Sequence, residues 1–186
     1  ELTPSNMNLL SLANVEYFIS AQPLEQKGLV PLPSSERDRM NTALIYPFHI
    51  YRNERALPRV FAPASIDLFT DQSALIEAMK TRDVQEFRDR AIVASPDLNG
   101  MDLKAGRQGD ITVSGFTFQG DRVSFQTDSP KGGLVVVLNS YSPFWKIVKG
   151  GVTDRVLPVY HAFQGILVKP GRQEVVVRYM PPYWRK

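Results

Sequence analysis

The chain has 186 residues, with 22 lysines and arginines, 19 acidic residues and no cysteine, for a formal net charge of +3. This composition excludes disulfides and thiol chemistry, and no apolar run approaches the roughly 20 residues of a membrane-spanning helix. Nine basic and two acidic residues fall within residues 131–186, so this part could face an anionic membrane surface or polysaccharide, whereas the spread of its basic residues along strands argues against nucleic acid.

The beginning of the chain predicts mainly strands and loops. Residues 1–13 fit either a short helix or an extended lead-in, and the prolines and charges of residues 31–39 are typical of an exposed loop. Strand-forming residues predict three strands, the last two interrupted by a proline: Val15–Ser20, Ala43–Arg52 with Pro47, and Arg59–Phe69 with Pro63.

One or two short helices are predicted next. Thr70 and Asp71 are good N-cap residues, and the apolar residues that follow fall on one face of a helix of about ten residues. Val84 and Phe87 extend that face after a kink. A strand is predicted at Arg90–Ala94, so this part of the chain mixes α and β structure.

After Asp97 the pattern changes to short strands spaced by roughly 8–12 residues and separated by glycine and proline turns. This rhythm is typical of an antiparallel sandwich or barrel. The predicted strands are Ile111–Phe118, Arg122–Asp128, Leu134–Asn139, Phe144–Val148, Val156–His161, Phe163–Val168 and Glu174–Tyr179.

The stretch from Gly132 to Gly151 contains the clearest of these strands. Leu134–Leu138 is a run of five apolar residues, which indicates a strand buried on both faces. The strand leads into a loop that carries Tyr141, Phe144, Trp145 and Lys146.

These patterns predict a mainly β fold. We expect an antiparallel, jelly-roll-like β-sandwich over residues 96–186, preceded by a smaller α/β portion over residues 1–95, the two together forming either two domains or one continuous compact unit.

Several segments together resemble a known family. The buried strand Leu134–Leu138, the loop Ser140–Lys146, the segment Val159–Phe163 and the turn Lys169–Gly171 occur in this order in the carboxy-terminal soluble region of YfhO-type bacterial membrane proteins. The segments Asn14–Ile19 and Ala56–Phe61 are similar to segments that precede the sandwich in the same proteins.

The resemblance implies an extracytoplasmic domain attached to the membrane-embedded part of a polytopic, glycosyltransferase-like protein, with the catalytic centre elsewhere in that protein. The partners it implies are that embedded part and a glycan or lipid-linked sugar. The chain departs from the family at Phe144, where members often have glycine, and at Lys149–Gly151, where they often have Asp-Gly. The missing aspartate removes any acidic role carried over to that turn.

Aromatic and basic side chains near this loop are candidate glycan contacts. Aromatic rings can stack on sugars, and lysine or arginine can bind acidic or phosphate groups. Large aromatic residues in strands usually belong to the core, which is the favoured interpretation for Trp145, and a structural histidine is the favoured interpretation for His161. The candidates are Tyr141, Trp145, Lys146, Arg155, Tyr160 and His161.

Other chemistry has little support in the sequence. Asp97, Asn99 and Asp102 partly match the start of a calcium loop, but Gln108 stands where the bidentate acid would be. No phosphate loop or dinucleotide fingerprint occurs, so no cofactor is expected. The alternatives to the membrane-linked domain are a stand-alone secreted carbohydrate-binding module and a small glycoside hydrolase with its acids in the first 130 residues.

Overall fold

The computed structural model describes residues 2–33, 48–98 and 100–184. It divides the chain into two compact units, Glu1–Leu57 and Pro58–Lys186. None of the helices in this described part has the length and apolar character that a membrane crossing requires.

In its described residues, the first unit has a helix and a three-stranded antiparallel sheet in the order β1-β3-β2. The Thr3 hydroxyl caps the helix by accepting a hydrogen bond from the Asn6 N–H, and Pro4 occupies the first turn, so the helical alternative holds for Pro4–Leu12. The elements are α1 (Pro4–Leu12), β1 (Tyr17–Ser20), β2 (Leu29–Pro31) and β3 (His49–Asn53).

Two sequence expectations for this unit change. Leu29–Pro31 is a short edge strand, although its proline suggested a loop; Pro31 ends the strand, where its missing N–H costs no central pairing. Of the strand expected at Ala43–Arg52, the part up to Pro47 lies outside the described residues, and the remainder forms β3.

The side chain of Asn53 joins the helix of this unit to its sheet by hydrogen bonds. Its buried amide nitrogen donates to the Ser11 hydroxyl at 3.0 Å and to the Val15 carbonyl at 2.8 Å, and its oxygen accepts from the Arg55 N–H at 3.1 Å. A buried amide is tolerated when its polar atoms are paired in this way. The end of β3 is therefore fixed to the end of α1.

The second unit contains the predicted β-sandwich. Two four-stranded sheets, in the orders β12-β13-β10-β4 and β11-β14-β9-β8, have only antiparallel pairings. This confirms the mainly β, sandwich-like fold. The strands are β4 (Val60–Phe61), β8 (Thr112–Gln119), β9 (Arg122–Asp128), β10 (Gly133–Ser140), β11 (Trp145–Lys149), β12 (Leu157–Val159), β13 (Phe163–Val168) and β14 (Gln173–Tyr179).

The core of the sandwich is built from alternate residues of these strands. Val135 and Val137 of β10 pack in it, together with Ile166 and Val168 of β13 and with residues of β9, β11 and β14. The intervening residues of β10, Leu134, Val136 and Leu138, are also buried. The strand expected to be buried on both faces is therefore confirmed.

A smaller α/β element belongs to the same unit. Strand β5 (Ser65–Phe69) is followed by helices α2 (Gln72–Thr81) and α3 (Val84–Asp89) and then by β6 (Arg90–Ala94), which pairs with β5 in parallel. Asp71 caps α2, and Asp83 caps α3 through a capping box with Glu86, so α3 is a separate helix and not a kinked extension of α2. Strand β7 (Gly106–Arg107) pairs with β5 on its other side.

The interruption at Pro63 divides one expected strand into two strands of different sheets. The segment before Pro63 forms β4, where Val60 lies opposite Val137 and Phe61 opposite Val136, and the segment after it forms β5. Proline cannot donate to a ladder, so the chain changes sheets at that point.

These pairings also explain where the units divide. The sequence patterns suggested a boundary near residue 95, whereas the chain divides into its two compact units between Leu57 and Pro58. Strand β4 belongs to a sandwich sheet, and the Ile92 carbonyl in β6 accepts a hydrogen bond from the Tyr160 N–H at 3.0 Å. The α/β element is thus joined to the sandwich by hydrogen bonds that sequence patterns do not display.

Candidate functional site

The loop between β10 and β11 is held against the turn between β12 and β13. The Tyr141 N–H donates to the Ala162 carbonyl at 2.7 Å, and within the loop the Trp145 N–H donates to the Ser142 carbonyl at 3.1 Å. Tyr141 and Ala162, which are 21 positions apart in the sequence, are therefore neighbours.

A pocket of about 160 Å³, here called the Tyr141 pocket, opens beside this loop. Lys146 and Arg155, which lie opposite each other in an isolated antiparallel bridge, contribute half-buried cationic side chains to it. Neighbouring cations in a partly desolvated pocket are suited to an anionic group. The pocket is lined by Asp97, Met101, Tyr141, Pro143, Lys146, Arg155 and Val156.

The carboxyl group in this pocket comes from the α/β element. Asp97 follows β6 and Gln72 follows β5, so both lie beyond the carboxyl ends of two parallel strands, where α/β proteins commonly bind ligands. The Gln72 amide donates to the Asp97 carboxylate. The Gln72 oxygen accepts from Nδ1 of His161 at 2.8 Å, which fixes the proton of the imidazole on that nitrogen.

Burial changes the acidity of two groups in the pocket. It raises the pKa of Asp97, while the Gln72 hydrogen bond and the nearby His161 oppose that shift. It also raises the pKa of Tyr141, with a further contribution from the Asp97 charge and an opposing one from Arg155. The Tyr141 hydroxyl is therefore neutral at physiological pH and able to donate a hydrogen bond.

The β12–β13 turn has an unusual backbone. Tyr160 and His161 have φ angles of 49° and 64°, in the left-handed region that side chains other than glycine rarely adopt. Such conformations persist when the surroundings fix them. This turn also ends β12 at Val159, two residues before the expected end of the strand, because left-handed residues cannot continue a ladder.

Tyr160 supplies the contacts that fix this turn. It is fully buried, its hydroxyl donates to the Phe87 carbonyl at 2.5 Å and lies 3.3 Å from the Arg90 carbonyl, and its ring packs edge-on against Phe87. Burial strongly raises its pKa. Tyr160 therefore joins α3 to the sandwich and is not exposed to a ligand, which corrects its inclusion among the candidate glycan contacts.

The remaining predicted contacts fall into three groups. Tyr141, Lys146 and Arg155 meet in one pocket, and the exposed His161 is linked to that pocket through Gln72. Trp145 is only 7 % exposed, packs in the sandwich core and borders a different cavity.

Sequence reasoning missed Gln72 and the contribution of Asp97 to this pocket. The available signal was their position, because each residue lies three positions after a segment that could form one of two neighbouring strands. Recognising it required knowing that β5 and β6 pair in parallel.

The structure describes two of the three residues considered for calcium. Asp97 is half-buried and hydrogen-bonded by Gln72, Asp102 is exposed, and Asn99 lies outside the described residues. Within residues 2–33, 48–98 and 100–184, no group of three histidine, aspartate or glutamate side chains is placed to hold a metal ion.

Replacing Asp97 by asparagine is expected to stabilise the protein slightly at neutral pH. Because the pKa of Asp97 is raised in the folded state, folding takes up a proton, and stability falls as the pH rises from the ordinary value of 3.8 through the raised pKa. D97N removes the free-energy cost of ionising a half-buried carboxyl group. It keeps an oxygen that can accept a hydrogen bond from the Gln72 amide. Solvent screening limits the gain to less than about 1 kcal/mol.

Urea unfolding at a series of pH values measures this effect. The difference between D97N and the parent chain should shrink as the pH approaches 3.8. A variant that is less stable at pH 7 would show that the Asp97 charge stabilises the fold.

Comparisons with known proteins identify no relative. No family model matches the chain, and no curated protein or solved structure matches it.

Proposed function

We propose that this chain is a non-catalytic, extracytoplasmic domain of a polytopic membrane glycosyltransferase-like protein, and that its Tyr141 pocket binds an acidic sugar or the phosphate of a lipid-linked sugar. The observation that carries the binding proposal is the convergence of Lys146, Arg155 and Tyr141 on one small pocket. The membrane-bound parent and its location at the bacterial cell envelope rest on the sequence resemblance.

The chemistry of the lining residues supports an anionic, hydroxyl-bearing ligand. The Lys146 ammonium has no hydrogen-bond or ion-pair partner among the described residues, so it is available to a phosphate or carboxylate. The Tyr141 hydroxyl can donate to a sugar oxygen, and the Asp97 carboxylate can accept from a sugar hydroxyl.

The size of the pocket limits what it can hold. Its volume of about 160 Å³ is below the roughly 300–1,000 Å³ of sites that enclose a whole drug-sized ligand. One phosphate or one acidic sugar unit fits this space better than a long oligosaccharide. The rest of a lipid-linked sugar would extend into solvent or towards the membrane.

Removing the Lys146 charge should weaken binding of a hexose 1-phosphate by about tenfold or more, because a charge-assisted hydrogen bond contributes roughly 1.5–3 kcal/mol. Calorimetric titration of the parent chain, Lys146→Ala and Tyr141→Ala measures this effect. Lys149→Ala is the matched control: it removes the same charge from the same strand, where Lys149 is exposed and paired with Glu174 at 2.8 Å.

The outcomes separate the alternatives. The Tyr141 pocket is not an anion site if the parent chain, Lys146→Ala and Tyr141→Ala bind the hexose 1-phosphate equally. The same conclusion follows if the parent chain does not bind it. Release of free sugar when the chain is incubated with a panel of glycans would instead support the glycoside hydrolase.

The envelope location needs a separate test in cells that express the natural gene. We expect the product in the membrane fraction, with this region open to protease added to spheroplasts. Accumulation in the growth medium would support the secreted carbohydrate-binding module.

A further inference from the structure

A second cavity lies on the other side of the β10–β11 loop. It has a volume of about 320 Å³ and is here called the Trp145 pocket. Asn139, Ser140 and Trp145 face it, whereas Tyr141, Pro143 and Lys146 of the same segment face the Tyr141 pocket. The Trp145 pocket is lined by Gly120, Asp121, Asn139, Ser140, Trp145 and Tyr179.

Two aromatic side chains form one wall of this pocket. Trp145 and Tyr179 lie opposite each other in β11 and β14, with ring centroids 5.3 Å apart and planes inclined by 56°. Phe144 also packs edge-on against Tyr179, with ring centroids 6.2 Å apart. The contacts with Trp145 and Phe144 restrict the Tyr179 ring, and this wall is largely apolar.

Polar groups also line this pocket. Asn139 lies where the register between β10 and β13 shifts, between Val137 and Ser140, and such bulges redirect side chains near binding sites. The half-buried Asn139 amide makes no hydrogen bond with any residue in the described part of the chain. An amide has both donors and an acceptor, which is the combination that adjacent sugar hydroxyls can satisfy.

The charge of this pocket differs from that of the Tyr141 pocket. Its one charged lining residue is Asp121, whose carboxylate accepts from Arg178 at 3.3 Å. The ion pair leaves little net charge at the rim, while Asp121 can still accept from a hydroxyl through its other oxygen. The residues that line this pocket therefore include no unpaired cationic side chain that could bind a phosphate or a uronic acid.

We propose that the Trp145 pocket binds a neutral pyranose ring. The apolar face of the sugar packs against Tyr179 and the edge of Trp145, and its hydroxyls exchange hydrogen bonds with Asn139, Asp121 and Ser140. This arrangement follows the common pattern of binding sites, in which apolar walls supply contact area and a few polar groups set orientation. The proposal does not require that the Tyr141 pocket bind an anion.

Saturation-transfer NMR and calorimetry with methyl glucoside, methyl galactoside and methyl mannoside test the proposal on the intact chain. Asn139→Ala is expected to weaken binding by about tenfold, because the hydroxyls lose their paired amide. Tyr179→Leu should weaken it at least as much by removing the aromatic wall. Gln126→Ala, an exposed amide on β9 away from the pocket, is the matched control and should leave binding unchanged.

Testing each variant against both the neutral glycosides and the hexose 1-phosphate distinguishes the two sites. Lys146→Ala should leave binding of the neutral glycosides intact, even if no hexose 1-phosphate binds to the parent chain. Absence of binding for all three glycosides overturns the proposal, as does unchanged binding in Asn139→Ala. Loss of glycoside binding in Lys146→Ala with retention in Asn139→Ala also overturns it, since the sugar would then occupy the Tyr141 pocket.

Discussion

Replacing Tyr160 with alanine is expected to lower the free energy of unfolding of the Pro58–Lys186 unit by about 3–5 kcal/mol, the range found for large aromatic side chains deleted from cores. Tyr160→Phe should cost about 1–3 kcal/mol, because the Phe87 and Arg90 carbonyls lose their hydroxyl donor while the ring contact remains. Comparing the two variants separates the packing contribution from that of the hydrogen bonds.

Urea unfolding followed by tryptophan fluorescence measures this loss selectively. The chain has two tryptophans, Trp145 and Trp184, and both lie in the second unit. Tyr141→Phe is the control: its hydroxyl is half-buried and has no hydrogen-bond partner among the described residues, so its removal should change stability by less than about 0.5 kcal/mol. Equal stability of Tyr160→Phe and the parent chain would contradict the role given to this hydroxyl.

The sandwich strands were predictable because each carries its own local pattern. Arg122–Asp128 alternates buried and exposed residues, and Phe163–Val168 is bounded by turns, so both were predicted with the observed bounds. The Asp71 cap likewise marked the start of α2. These features depend on neighbours within a few residues, which is the range over which hydrophobic periodicity and capping act.

The candidate site was less predictable because it depends on pairings between distant segments. Tyr141, Lys146 and Arg155 were selected by residue type, and the structure brings them together. Gln72 was missed because the parallel pairing of β5 with β6 has no local signal. Tyr160 was misassigned because its aromatic character fits a sugar contact as well as a core position, and only the fold distinguishes the two.

Gly165 shows how closely the strands beside the site are packed, and Gly165→Ala should lower the free energy of unfolding by about 1–3 kcal/mol. A methyl group there would lie 2.3 Å from Cγ2 of Val159 and 3.1 Å from Cδ1 of Leu134. Both neighbours are fully buried, and Val159 is β-branched and in a strand, so neither side chain can move aside easily.

Gly109→Ala provides the matched control for this substitution. A methyl group at Gly109 would make only ordinary contacts with the Lys131 side chain, the nearest at 3.7 Å, and neither glycine has a positive φ. Both variants reduce the entropy of the unfolded chain to a similar extent, so their difference measures crowding alone. If Gly165→Ala and Gly109→Ala are equally stable in urea unfolding, β12 can move away from β13. The turn that places His161 beside Gln72 would then not be held by strand packing.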